Sequence, residues 1–470
     1  MNKLLIAGIL AVLFLASCRK DDDSKKLFIY NSTTVNVTLD ANHPGSLISD
    51  SFEGLSFENG IFGQDASFLN PDNKVLVQLM RNLGPGIMRM GGGTSDFTVW
   101  TGKPRDAGTP VNAITTTDID RLAALSNATG WPVLFGLNLG ENNTVTAANE
   151  AVYVNHALGT NLYAFQSGNE PDYFSSNSKL RNAFYDVNDF IGEWDTYQAA
   201  VRAKVPGASF AGPDVASKTD WIASFAGREY TSVKLLDGHY YETGPATRSD
   251  INYQSILHFS SRLSELIQSF KPSPGMPQLP YRVTECNNVY GGGKQGVSDV
   301  FASALWALDT MWILADNGCQ GINFHNGIGL HYSPIFSDNG KLTARPEYYA
   351  MLAFRYAAIN GRSIPLKADK TTYCSAHACS NNGGYSITLI NKSIDTDYDF
   401  NIIPGKRIGN ITVNRLNAPS ILATTGTKFA GREVNADGSF QPAAGDDLAV
   451  NKNSFIVHVP AASAAVVVAQ

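Results

Sequence analysis

At 470 residues the chain is long enough for one large domain plus a smaller one, and its composition, 17% charged and 10% aromatic, allows a sizeable core. The 36 basic against 42 acidic side chains leave a formal charge of −6, which argues against a nucleic-acid partner. The 5 cysteines show no zinc-like spacing, so no metal is expected, and nothing in the sequence asks for a cofactor.

Residues 1–17 have the form of an export signal: Lys3 supplies the positive start, Leu4 to Leu15 the apolar run, and Leu15-Ala16-Ser17-Cys18 a small-residue processing site. The apolar run is too short to span a membrane. Leu-Ala-Ser-Cys resembles a bacterial lipobox, in which the cysteine is lipidated and becomes the mature N-terminus, so Cys18 is the expected lipid anchor. Residues 18–27, with Arg19-Lys20-Asp21-Asp22-Asp23-Ser24, form an expected solvated tether, and this stretch is similar to the acidic signal that carries some lipoproteins to the cell surface. An outer-membrane lipoprotein is expected, monomeric and facing the periplasm or the cell surface.

The segment 28–45 contains Thr34-Val35-Asn36-Val37-Thr38-Leu39, which alternates with period two as a half-buried strand does. From residue 50 to 356 short apolar runs alternate with amphipathic stretches, as in repeated strand-helix units on a parallel sheet. Strands are predicted over residues 54–57, 86–90, 132–138, 162–167, 208–211, 233–240, 281–285 and 321–325. Helices are predicted between them over 117–128, 188–205, 253–270 and 297–317. Eight such units spell a (β/α)8 TIM barrel, placed at residues 46–360, with its chemistry on loops at the C-terminal strand ends. After Ile364 period-two alternation returns at 385–390, 408–413 and 454–459, which predicts an antiparallel β-sandwich over 361–470. The strand near residue 35 is expected to join it, so that both chain ends build the second domain. Within this region Cys374 and Cys379 are either a pair across a short turn or two free thiols.

Strand ends select two carboxylates. Asn169-Glu170-Pro171 follows the fourth predicted strand and Thr284-Glu285 closes the seventh. One glutamate among 42 acidic residues is ordinarily a solvated side chain. Two at barrel strand ends, one fixed between an amide and a proline, fit the pair that glycosidic cleavage needs: an acid for the leaving oxygen and a carboxylate for the anomeric carbon. His239 and His325 also end strands, and Trp306 and Trp312 sit in a helix at core spacing; none of these is taken as a ligand.

Five patches carry a closer likeness: Gly54-Leu55-Ser56-Phe57-Glu58; Met88-Arg89-Met90-Gly91-Gly92 with Asp96; Gly168-Asn169-Glu170-Pro171; Thr284-Glu285-Cys286-Asn287-Asn288-Val289-Tyr290-Gly291-Gly292-Gly293; and Ser298-Asp299. With them the chain resembles the clan A glycoside hydrolases and, more narrowly, family 79, the β-glucuronidase and heparanase family. The resemblance implies a retaining enzyme with Glu170 as acid/base and Glu285 as nucleophile, their carboxyl groups about 5–5.5 Å apart. It also implies that Asn169 meets the sugar 2-hydroxyl, that Glu58 meets another hydroxyl, and that Tyr240 or Tyr241 touches the nucleophile. One register step flips those two tyrosines, so the choice between them stays open. Arg89 is expected to brace the carboxylates rather than bind substrate.

A uronic acid adds an anion that must be bound, and the only cations near Glu285 in the sequence are Arg282 and Lys294. Gly291, Gly292 and Gly293 permit close backbone approach and can aim N–H groups at an anion. In the family such a loop holds the uronate together with a tyrosine, for which Tyr332 is the best match and Tyr290 competes. Cys286 beside the nucleophile and the additional Gly93 depart from the family pattern and bear on fine specificity. The implied activity is a β-glucuronidase releasing glucuronic acid or 4-O-methyl-glucuronic acid from uronic-acid-containing oligo- or polysaccharides. The alternatives are a clan A β-glycosidase for neutral sugars and a non-catalytic glycan-binding surface lipoprotein.

Overall fold

In the computed structural model eight short strands are buried along most of their length, which is why they read in the sequence as apolar runs and not as alternation. The described residues are 33–470 without 177, 259, 382, 406–407 and 449–453; the export signal, Cys18 and the charged tether lie outside them.

The barrel strands are Glu53–Glu58, Ile87–Gly91, Val133–Leu137, Leu162–Ser167, Ala211–Val215, Leu235–Thr243, Tyr281–Val289 and Ile322–His325. All neighbours pair in parallel, in the order four-three-two-one-eight-seven-six-five, and a bridge between Phe165 and Phe210 joins the fourth strand to the fifth and closes the ring. Two of these strands carry a device that matters for the site. The register shifts between Val283 and Glu285 on the seventh strand and between Gly212 and Val215 on the fifth, and such bulges re-aim the side chains that follow.

The fifth strand runs over Ala211–Val215 and not over 208–211. Gly212 and Pro213 carry the chemistry of a turn, but here the register shift absorbs them inside the strand, and Asp214 takes a left-handed φ of 58°. The helix expected over 253–270 is two helices, Tyr253–Leu257 and Ser261–Ser269. Between them His258 is extended, at φ −112° and ψ 116°, and the Ser260 amide donates to Glu242 Oε1 at 2.8 Å instead of to a helical carbonyl.

Beyond the barrel, two sheets face one another. One has the order Leu366–Ala368, Thr33–Leu39, Tyr398–Ile403, Phe455–Val459; the other is built on Cys374–Asn381, Gly384–Asn391, Ser463–Ala469 and Ile411–Asn417. Between them Val35 and Val37 share one apolar core with Phe400, Val457, Ile387, Leu389 and Val467, all at most 1% exposed. The sandwich is not antiparallel throughout: Thr33–Leu39 runs parallel to Tyr398–Ile403. No hairpin joins these two strands, since one comes from each end of the chain, so their direction is free. Cys374 and Cys379 are free thiols. They sit five residues apart on one extended strand, about 16 Å end to end and on opposite faces, which no disulfide spans.

The helix Phe301–Asp316 packs against this sandwich through buried charge. Asp309 accepts from Lys392 Nζ at 2.7 Å and pairs with His377 Nε2 at 2.9 Å, while His377 Nδ1 lies 2.7 Å from Asp316.

Candidate active site

A cavity of about 430 Å³ opens at the C-terminal ends of the barrel strands. Its walls include Glu58, Asn169, Glu170, Tyr241, Glu285, Tyr290, Gly291, Gly292, His325 and Tyr332, gathered from five strand ends and the loops after them.

Arg89 organises its floor. The side chain is fully buried on the second strand, and its guanidinium serves five acceptors. Nε donates to Gln166 Oε1 at 2.9 Å; Nη1 to Ser56 Oγ at 3.0 Å and Glu285 Oε2 at 2.8 Å; Nη2 to Asn169 Oδ1 at 2.8 Å and Asp214 Oδ2 at 2.6 Å. Arg89 is thus the expected brace, and its bond to the Asn169 oxygen leaves the Asn169 amide NH2 as the group for the cavity. Burial works against the guanidinium charge, but Asp214 and Glu285 outweigh it and keep Arg89 protonated.

Glu285 accepts from Tyr241 Oη at 2.8 Å and from Arg89, and His325 Nδ1 lies 3.5 Å away. Burial alone would raise its pKa; His325, His239, Arg89 and the tyrosine hydrogen bond overcome that and hold it far below the ordinary carboxylate range. Glu170 lies on the other side, with a left-handed backbone at φ 51° and ψ 53°, a conformation costly for a residue with a side chain and found mainly at functional sites. The loop is held there by Asp172, whose carboxylate accepts the Ala216, Ser217 and Lys218 amides at 2.9 to 3.0 Å. Glu170 pairs through Oε1 with His239 Nδ1 at 3.0 Å. Its pKa is raised, first by burial, which outweighs the opposing pull of His239, with Glu285 and Asp172 adding to the rise.

Donor atoms of Glu170, His239 and Glu285 lie within 4.8 Å of one another. The group does not suit a cation. Both nitrogens of His239 face carboxylates, Glu170 on one side and Asp214 Oδ1 at 2.9 Å on the other, and these charges, with Glu285, keep the ring protonated and without a free lone pair.

The tyrosine register is settled. Tyr241 points into the barrel to Glu285, whereas Tyr240 points outward, is 3% exposed and hydrogen-bonds Glu242. Strand alternation puts it behind the site, so Tyr240 is not a substrate contact. Tyr290 and Tyr332 both line the cavity, packed on the Tyr241 ring with centroids 6.2 and 6.1 Å away. Gly291, Gly292 and Gly293 all have positive φ, at 84°, 89° and 79°, and among the described residues their N–H groups have no protein acceptor. Only the first two line the cavity; Gly293 abuts Tyr332, whose amide nitrogen would lie 2.6 Å from an added Cβ.

Glu58 is more committed than a simple substrate contact: its carboxylate accepts the Thr94 amide and hydroxyl at 2.7 and 2.5 Å and the Gly93 amide at 3.2 Å. Gly92 is required beneath it, since a Cβ there would meet the carboxyl carbon at 2.4 Å. Neither nearby cation reaches the cavity. Arg282 is buried at the opposite barrel end on the Ser51, Phe52 and Ile322 carbonyls, and Lys294 donates to the Arg248 carbonyl.

Sequence reasoning missed Asp214, which accepts from Arg89, Gln166, His239 and Thr284 and stays ionised against its burial. It also missed the parts played by His239, His325 and Asp172. For Asp214 a signal existed in Gly212-Pro213-Asp214 directly after the strand predicted over 208–211, masked by the turn character of its first two residues.

No model of a known protein family matches the chain. Among curated proteins it is 25% identical to a β-glucuronidase of Aspergillus niger, over 82% of this chain and 83% of that protein. It is 24% identical to a hyaluronoglucuronidase of Hirudo nipponia, over 67% and 71% of the two chains. Among solved structures, a 4-O-α-L-rhamnosyl-β-D-glucuronidase from Fusarium oxysporum superposes with a TM-score of 0.75 at 18% identity, covering 93% of this chain and 99% of that one. A family 51 arabinofuranosidase from Xanthomonas axonopodis follows the same fold with a TM-score of 0.71 at 17% identity, over 93% and 100%. The barrel, its strand-end glutamates and this similarity to glucuronidases agree with the likeness of the chain to glycoside hydrolase family 79 of clan A.

Proposed function

We propose that the protein is a retaining β-glucuronidase that releases glucuronic acid or its 4-O-methyl form from uronic-acid-containing glycans. One observation carries the reading: two carboxylates from the fourth and seventh strands face one cavity with oxygens within 4.8 Å, and their surroundings push their proton affinities in opposite directions. An approach of one oxygen of each to within 4.8 Å is in keeping with the about 5–5.5 Å between the carboxyl groups of retaining enzymes.

In this mechanism Glu285, ionised between Arg89 and Tyr241, attacks the anomeric carbon while Glu170, kept protonated by burial, gives its proton to the departing oxygen. Glu170 then takes a proton from water, and the resulting hydroxide breaks the glycosyl-Glu285 ester and returns Glu285 as a carboxylate. Its side chain is 27% exposed against 9% for Glu285, as suits the residue that exchanges protons with water. The Asn169 amide NH2 is the donor for the sugar 2-hydroxyl. The Gly291 and Gly292 N–H groups, with the Tyr290 and Tyr332 hydroxyls, receive the uronate carboxylate.

Hydrolysis of an aryl β-glucuronide against the matching β-glucoside tests the sugar; a preference for the glucoside sinks the glucuronide reading. Glu285→Gln is expected to lower kcat by about 10⁴-fold with the fold intact, and retained activity removes it as nucleophile. Anchoring through Cys18 at the bacterial outer membrane, facing periplasm or cell surface, belongs to the same proposal and is supported by Leu15-Ala16-Ser17-Cys18. Palmitate incorporation that persists in Cys18→Ala speaks against it.

A further inference from the structure

The cavity wall holds one lysine or arginine, and the catalytic network does not use it. Arg262, the second residue of the helix Ser261–Ser269, is exposed, and among the described residues it makes no hydrogen bond or ion pair. Its place follows from the break described above: the chain leaves its helical path at His258, restarts at Ser261, and the first turn of the new helix faces the cavity mouth.

The wall has two sides. Around Glu285 stand Tyr241, His325 and, by its charge coupling, Tyr332. Around Glu170 stands Tyr173, three residues further along the same loop, half-buried and within the field of both Glu170 and Arg262. In a double displacement the acid/base sits beside the glycosidic oxygen, so groups on its side meet the leaving group, whereas groups around the nucleophile meet the sugar that becomes covalently bound. Arg262 lines the same cavity as Tyr173 and acts on it by its charge, which assigns it to the leaving-group side.

We propose that Arg262 with Tyr173 forms a leaving-group subsite that takes an anionic unit, a carboxylate or sulfate borne by the residue next to the scissile bond. The proposal rests on the glycosidase reading above. Its physical basis is charge balance. Glu58 and Glu285 line the same cavity as carboxylates, so an anionic leaving group enters a field that repels it unless a cation compensates. A guanidinium without a partner among the described residues offers a planar fork matched to both anions. The Tyr173 ring on the same cavity wall gives a flat surface for a sugar face.

The test uses the full chain and three disaccharides in which glucuronic acid is β-linked to a neutral hexose, to a uronic acid, or to a sulfated hexose. The wild-type ratio of kcat/KM for at least one anionic substrate over the neutral one is expected to fall about fivefold in Arg262→Met and less in Arg262→Lys, the scale of one exposed charge pair. Added salt is expected to erode the wild-type ratio and not that of Arg262→Met. Whether the uronate or the sulfated substrate responds identifies the anion. Neutral-substrate activity with both ratios unmoved in Arg262→Met overturns this proposal alone. Wild-type protein that hydrolyses none of the three overturns the glucuronidase reading, and this one with it.

Discussion

The cluster around Arg89 and the cluster around Asp309 are built from the same kinds of group and settle their charge in different ways. At the barrel–sandwich seam two carboxylates, Asp309 and Asp316, meet two cations, His377 and Lys392, within 2.7 to 2.9 Å. The count balances, each partner strengthens the others, and Asp309 is held well below the usual carboxylate range by Lys392 and His377 against its burial. At the barrel mouth Glu58, Glu170, Asp214, Asp237 and Glu285 share Arg89, His239 and His325. Cations are short there, so the carboxylates cannot all ionise, and burial forces Glu170 and Asp237 upward. A balanced cluster only holds two parts together, whereas an unbalanced one keeps a proton where a reaction needs it.

The comparison is broken most severely at Arg89. Arg89→Met removes one of three cations from a cluster already short of them, frees Glu285 to turn and lets the Asn169 amide flip. A loss of kcat of about 10³-fold is expected with aryl β-glucuronide, several times the cost of one lost electrostatic donor because two groups lose their aim. Arg89→Lys keeps the charge without the fork and should recover only a small part of it. Near-normal kcat in Arg89→Met would mean that neighbouring packing already positions both groups.

At the seam the same kind of surgery should act on stability alone. Lys392→Met leaves Asp309 buried against His377 only, and removal of one partner of such a pair costs about 3–5 kcal/mol. A chemical-denaturation midpoint should drop accordingly while kcat on aryl glucuronide is kept. A matching fall in kcat under conditions where the protein is folded would show that the seam reaches the site.

How much of this was legible follows from which contacts are local. Glu170 and Glu285 could be placed because a strand end is a local event, marked by an apolar run and the residue after it. The sandwich strand at Thr33–Leu39 was visible for the same reason, since its burial alternates residue by residue. Asp214, His239 and His325 gain their meaning only when four strands converge, and each in isolation reads as a turn residue or a lone histidine. The Tyr240/Tyr241 choice depended on a pleat phase that the bulge at Val283/Glu285 helps to set. Arg262 was hidden because a continuous helix over 253–270 was expected, and its place depends on the break at His258.

The smallest expected effects are those of pH, and they separate the two clusters by sign. His377 is raised to about 9, its hydrogen bonds and charge pairs with Asp309 and Asp316 overcoming burial. A group raised on folding contributes stability that is fully present below its unfolded pKa, near 6.5, and is lost as pH climbs through the folded value. Thermal stability should therefore decline from about pH 6.5 to about 9, and His377→Gln should flatten that decline. Activity has a different limb. Glu170 must carry its proton, so kcat/KM should fall on the alkaline side at a pH above the ordinary carboxylate range, while Glu285 stays ionised far into acid. His239, as a cation 3.0 Å from Glu170, pulls that limb down. His239→Gln removes the pull, so the limb should move to higher pH even as kcat drops from the lost contact. A limb that stays in place, or moves toward acid, would show that burial alone sets the Glu170 proton and that His239 serves only to position it.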